Sequence, residues 1–265
     1  MLFKKRKKKT NTPNPVKPRL NETSSFAVKE AYNAIRTKLM FSGKGETCPV
    51  FAVTSALAGD GKSTIAVSIA VSFALAGQRV LLIDADMRKP CIHRYFNMES
   101  RGGLSEILAG LTSEVKVRAT DCKNLSVLTA GQLPPNPAEL LATTQMDALL
   151  EYVRKYFDYV IIDTPPINIV SDAAVFAEKI TGYIVVTQSG KNQLRDVSDA
   201  VQYLKEMNGN ISGFVLNDPN NRVDSHYSHR YSRYYRYGSQ NCSHHYGYCS
   251  RGHYRRYHYH HYGRA

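Results

Sequence analysis

Residues 56–64 read Ala56-Leu57-Ala58-Gly59-Asp60-Gly61-Lys62-Ser63-Thr64, between the apolar run Val50–Thr54 (VFAVT) and a long Ala/Val/Ile/Phe stretch over 62–76. Strand, glycine-bearing loop and helix, in that order, is the setting a phosphate-binding loop requires. Gly59 and Gly61 let backbone N–H groups turn inward onto phosphate oxygens, and the helix N-terminus adds the positive end of its dipole. In this reading Ala58, Gly59, Asp60, Gly61, Lys62, Ser63 and Thr64 bind nucleotide. Lys62 reaches the β- and γ-phosphates, and the Ser63 hydroxyl ligates magnesium. The alternative is an ordinary glycine-rich strand-to-helix turn; a Gly-Lys-Ser triplet in register with both flanks argues against it.

Two further strand ends carry carboxylates. Leu81-Leu82-Ile83-Asp84-Ala85-Asp86-Met87-Arg88-Lys89-Pro90 places Asp84 and Asp86 at the carboxyl end of an apolar run, where open α/β sheets bind their ligands. Two carboxylates there repel unless a cation or a transferable proton accounts for them. A polar strand terminus with an Asp capping the next helix is the bland reading, and the phosphate loop weighs against it. Tyr159-Val160-Ile161-Ile162-Asp163-Thr164-Pro165-Pro166 ends another apolar run in Asp163. A carboxylate there holds a magnesium shell through water. Alone it says little, but it completes a set of three.

The same rhythm runs outward in both directions. Strands are expected at 79–85, 125–129, 159–163, 183–187 and 211–216. Helices are expected at 26–41, 62–76, 104–110, 137–156, 171–180 and 193–207. In the first helix Ala27, Ala31, Ala34, Ile35 and Leu39 make a weakly apolar side. In the last, Leu194, Val197, Val201 and Leu204 fall at helical spacing and read as one buried stripe. Short, almost wholly apolar strands alternating with helices give an α/β fold, a mainly parallel sheet covered by helices on both faces.

Charge divides the chain into three. The +13 total separates into +8 over 1–20, −2 over 21–221 and +7 over 222–265. Residues 1–24 therefore read as a basic flexible arm, 25–221 as the nucleotide-binding domain and 222–265 as a tail. The tail is Tyr, His, Arg, Ser and Gly with almost no aliphatic residue; it cannot build a core and reads as disordered alone. No run approaches the roughly 20 apolar residues of a membrane span. The lysine-rich start is followed by polar residues and prolines, unlike a signal peptide. Five cysteines without metal-type spacing fit a reducing cytoplasm.

Taken together, ALAGDGKST (56–64), LLIDADMRKP (81–90) and FDYVIIDTPP (157–166) resemble the Walker A, A′ and B motifs of the bacterial tyrosine kinases. The likeness is to the capsular and exopolysaccharide type in its cytoplasmic Gram-positive form, within the MinD/ParA-like P-loop ATPases. GGLSEIL (102–108), GQLPPNPAELL (131–141) and GFVLN (213–217) extend the likeness across 26–220. It implies ATP and Mg2+ as cofactors, with Lys62, Asp84 and Asp86 catalytic. Ser63 and Asp84 would ligate magnesium directly and Asp163 indirectly; Asp86 would assist removal of the acceptor tyrosine's proton, and Asn217 would lie near the adenine. It also implies a ring-like homo-oligomer, a separate transmembrane adaptor that activates the kinase at the inner face of the membrane, a cognate tyrosine phosphatase and no nucleic-acid partner. The family's assembly helix follows Glu-x-x-Arg-x-x-Arg. Here Glu30 and Arg36 match and Asn33 departs.

Eleven of the eighteen tyrosines lie in the tail: Tyr227, Tyr231, Tyr234, Tyr235, Tyr237, Tyr246, Tyr248, Tyr254, Tyr257, Tyr259 and Tyr262, among eight of the nine histidines. By the resemblance they are autophosphorylation sites. Tyr–Arg alternation alone also fits stacking on single-stranded RNA, and a His-rich tract fits metal. The competing reading of the whole chain is a MinD/ParA-like ATPase whose basic tail binds membrane or nucleic acid. MinD-like ATPases carry a lysine at the second position of the phosphate loop; here that position is Leu57, which favours the kinase.

Overall fold

A computed structural model describes residues 19–112 and 114–218. The N-terminal arm up to residue 18 and the tyrosine-rich tail lie outside the described residues. Seven strands form one sheet: β1 (Val50–Ser55), β2 (Val80–Asp84), β3 (Arg118–Ala119), β4 (Leu125–Leu128), β5 (Tyr159–Asp163), β6 (Gly182–Gln188) and β7 (Ile211–Asn217). Their order across the sheet is β3-β4-β2-β5-β1-β6-β7. Every pairing is parallel except the two-residue β3, which runs antiparallel along the β4 edge.

The central strands are apolar on both faces because both faces are covered. Val50 and Ala52 point into one core, with Leu141, Leu149, Val153 and Phe176. Phe51 and Val53 point into the other, with Ile65, Ile69, Phe73 and Leu39. That second face is covered by helices α1 (Phe26–Ser42) and α2 (Lys62–Leu75). Nearly all of α2 is buried, which explains a composition apolar all round rather than striped. Its Phe73 ring lies 4.2 Å from that of Tyr159 on β5. The opposite face is covered by α4 (Leu104–Leu108), α5 (Pro137–Leu141), α6 (Thr144–Val153) and α7 (Leu194–Glu206), α3 being the single turn Ile92–Tyr95.

Several expectations needed correcting. The helix expected over 137–156 is two helices, α5 and α6, interrupted at Ala142–Thr143. The stretch 171–180 forms two short 3-10 turns, Ser171–Ala173 and Ala177–Lys179, in place of a helix. Leu194 is 85% exposed and Val197 and Val201 are half-buried; Ala200 and Leu204 of α7 are buried in the core, with Tyr203 packed against it. On α1 the contact stripe is Tyr32, Ile35, Arg36 and Leu39. Ala27, Ala31 and Ala34 face outward, because long side chains and not methyls bridge the gap to α2. No helix of the described residues is long and apolar enough to cross a membrane.

Candidate active site

Residues Ala56–Gly61 link β1 to α2 at the carboxyl edge of the sheet. Gly59 and Gly61 have φ of 82° and 92°, the left-handed region that glycine enters without strain. At Gly61 the demand is also steric: a Cβ there would stand 2.3 Å from Asn217 Nδ2. The loop is held from within by Asp60, whose buried carboxylate accepts from the Leu57 N–H at 3.1 Å. Asn217, at the end of β7, donates to the Asp60 carbonyl at 2.8 Å.

Three carboxylates converge beside this loop. Asp84 and Asp163 end neighbouring strands and are register partners, and Asp163 is also paired with Val53 of β1. Asp86 follows two residues after Asp84. All three are buried. The Lys62 ammonium donates to Asp86 Oδ2 at 2.8 Å and stands 3.6 Å from Asp163 Oδ1. Burial opposes the charge on Lys62, yet Asp163 and Asp86 together hold its pKa above that of an ordinary lysine. Burial, reinforced by Asp163 and Asp86, pushes Asp84 up to about 8, against N–H bonds from Ile92 and Cys91, both 3.0 Å. Burial also raises Asp163, against the pull of Lys62 and Ser63.

The donor set suits a divalent cation. Asp84 Oδ1 and both oxygens of Asp163 are buried and accept no hydrogen bond of normal length. Hard carboxylate oxygens with a serine hydroxyl next in sequence to Lys62 are what magnesium takes, alongside phosphate and water. Repulsion among the carboxylates, which raises Asp84, is what such a cation would relieve.

Sequence reasoning named Lys62, Ser63, Asp84, Asp86 and Asp163, and the fold gathers them. It missed four contacts around them. Tyr95 of α3 shares a 2.7 Å hydrogen bond with Thr64, and burial pushes its hydroxyl up to about 12. Arg88 grips the buried Asp172 through two bonds of 2.8 and 2.9 Å. Lys191 and Asn192, in the loop after β6, both reach Asp60. The signal for the last two was available: Gly190-Lys191 follows the carboxyl end of an apolar parallel strand. Glu30 and Arg36, expected from the resemblance to serve assembly, lie elsewhere, on α1. Glu30 accepts from Asn33 within the helix at 2.9 Å, and Arg36 donates to the Ser72 carbonyl of α2 at 2.9 Å.

Comparison with known proteins places this geometry. Residues 47–253 match the ParA family, described as NUBPL iron-transfer P-loop NTPase. The tyrosine-protein kinase YwqD of Bacillus subtilis is 40% identical over 189 residues, covering 71% of this chain and 80% of that one. The tyrosine-protein kinase CpsD of Streptococcus pneumoniae is 42% identical over 191 residues, 71% of this chain and 83% of its own. The chain belongs to the bacterial tyrosine kinases. In structure, the kinase domain of the Escherichia coli tyrosine kinase ETK superposes with a TM-score of 0.70 at 34% identity, covering 83% of this chain and 80% of that domain. In this chain the glycine loop at 56–61 joins β1 to α2, and the carboxylates at 84, 86 and 163 stand beside it.

Proposed function

We propose that the chain transfers the γ-phosphoryl group of ATP to tyrosine hydroxyls, its own cluster Tyr227–Tyr262 foremost, and so regulates surface-polysaccharide synthesis. The observation that carries this reading is the ion pair of Lys62 with Asp86 beside Asp84 and Asp163, at the mouth of the phosphate loop. A phenol has a pKa of about 10 and is a poor nucleophile at neutral pH. Positioning, cation charge and a nearby carboxylate remedy that in phosphoryl transfer. The loop N–H groups and Lys62 would hold the phosphates. When phosphate draws Lys62 away, Asp86 Oδ2 is released to take the acceptor's proton. Ser63 and Asp84 would hold magnesium and Asp163 its water, the metal supplying charge neutralisation on the phosphate oxygens. Asn217, tied to the Asp60 carbonyl, would lie near the adenine base in this reading.

Assembly through the helix bearing Glu30 and Arg36, activation by a transmembrane adaptor at the inner membrane face, and a partner phosphatase belong to this same reading. Leu57, in place of a loop lysine, favours it over a MinD-like ATPase. The test is intact mass after incubation with Mg-ATP. Mass rising in phosphate steps is expected; ADP release at unchanged mass would favour the ATPase. Lys62→Met should leave the fold intact and abolish labelling, and full labelling in that variant would remove the phosphate loop from the mechanism.

A further inference from the structure

β1 has two neighbours in the sheet, β5 and β6. Lys62 and its carboxylate partners occupy the β5 flank. The β6 flank carries a second lysine. After Gln188 the chain turns through Gly190, whose φ is 71°, and presents Lys191 to the phosphate loop. Its ammonium donates to the Ala58 carbonyl at 2.5 Å and to Asp60 Oδ1 at 2.8 Å. It lies so close over Gly59 that a Cβ there would stand 3.2 Å from Nζ.

We propose that Lys191 is a second cation of the nucleotide site, serving the terminal phosphate from the β6 side. This rests on the assignment of the loop to ATP. Three observations support it. Asp60 is fully buried and anchored independently, its Oδ2 accepting from the Leu57 N–H and from Asn192 Nδ2 at 2.9 Å. It therefore works as a fixed tether for the ammonium. The lysine side chain nevertheless stays 37% exposed, and two of its three N–H groups are used. An ammonium needed only to neutralise Asp60 gains nothing from staying at the open side of the loop. Finally, it sits on the strand-side arm of the loop, at Ala58–Gly59. The helix N-terminus and Lys62 at the other arm meet the phosphates from the β5 side, which leaves the β6 side of the terminal phosphate to the arm that Lys191 covers. Charge that spreads over the transferred group rewards a fixed cation there. Leu57 supplies none.

The test compares Mg-ATP with Mg-ADP binding, by fluorescent nucleotide titration, in the wild-type chain and in Lys191→Met. Losing one charge-assisted hydrogen bond weakens binding by about ten- to a hundredfold. That loss is expected for ATP, with ADP changed by less than about threefold on the same scale. Equal losses for both nucleotides, or none, would reduce Lys191 to a loop clamp and overturn the proposal. Wild-type protein that bound neither nucleotide would instead overturn the ATP assignment. Because the variant can unfold the loop, amine-reactive footprinting of the unmodified chain gives a second reading. Mg-ATP should protect Lys191 several-fold more than Mg-ADP, and equal protection would count against the proposal.

Discussion

At the scale of single residues, Asp84 and Asp86 are near in sequence but opposite in circumstance. Asp86 is tied to Lys62 and to the Lys89 N–H. Asp84 has one oxygen held by two backbone N–H groups and the other free of hydrogen bonds. Their substitution should therefore divide cleanly. Asp84→Asn and Asp86→Asn are each expected to slow tail phosphorylation by at least about a hundredfold. Only the Asp84 change should raise the magnesium concentration needed for half-maximal rate. If both variants shifted that concentration alike, the division of roles would fall. All of these acidic residues were legible in the sequence, because strand ends beside a phosphate loop are where ligands bind. Lys191 and Asn192 were only half legible: Gly190-Lys191 follows an apolar strand end, but that this strand lies beside the phosphate loop is a matter of strand order, which no local pattern carries. Tyr95 meets Thr64 through the packing of one helix on another, for which the sequence held no signal.

Among the elements, the core strands were readable to within a residue or two: Tyr159–Asp163 was placed at its observed bounds, since burial on both faces leaves an unbroken apolar run. The misread stripe of α7 has a physical cause. A stripe at helical spacing shows that a face could be buried, and the sheet must then be wide enough to cover it. At β7 it is not: Phe214 and Leu216, on the last strand itself, stand exposed, and so does Leu194 of α7. The division of α5 from α6 and the 3-10 turns at 171–179 escaped for a related reason, since loop-like helices take their form from the core they close. The joint between α2 and β5 is where an element-level test bears most directly on the site, because α2 begins at Lys62 and β5 ends at Asp163. Phe73, fully buried against Tyr159, should cost about 3–5 kcal/mol on change to alanine. Chemical denaturation with the midpoint followed by circular dichroism checks this; a loss under about 1 kcal/mol would mean the joint repacks.

For the molecule as a whole, charge sets an expectation about the tail that its sequence alone supports. Each phosphotyrosine adds about −1.5 to −2 at neutral pH, against +7 over residues 222–265. Binding to anionic vesicles should accordingly persist until about four phosphates are present and then fall. Vesicle co-sedimentation followed against phosphate number would show this, and an abrupt release at the first phosphate would point to one controlling tyrosine instead. The buried carboxylates have a different whole-molecule consequence, concerning heat. Asp84 keeps its proton in the folded chain up to about pH 8, whereas an unfolded carboxyl gives it up near 3.9. Across that window the unfolded chain ionises first, so folding stability falls as pH rises. The carboxylate cluster is thus a weak point of the fold, which on the proposed function is a cost in robustness borne for chemistry. Asp84→Asn should melt higher than wild type above neutral pH, by about 2–4 °C for each kcal/mol of burial cost and repulsion removed, with the gap closing in acid. A variant that is less active and yet harder to melt would mark Asp84 as a residue retained for reaction and not for architecture; a lower melting point at every pH would mean its two backbone bonds matter more than its charge.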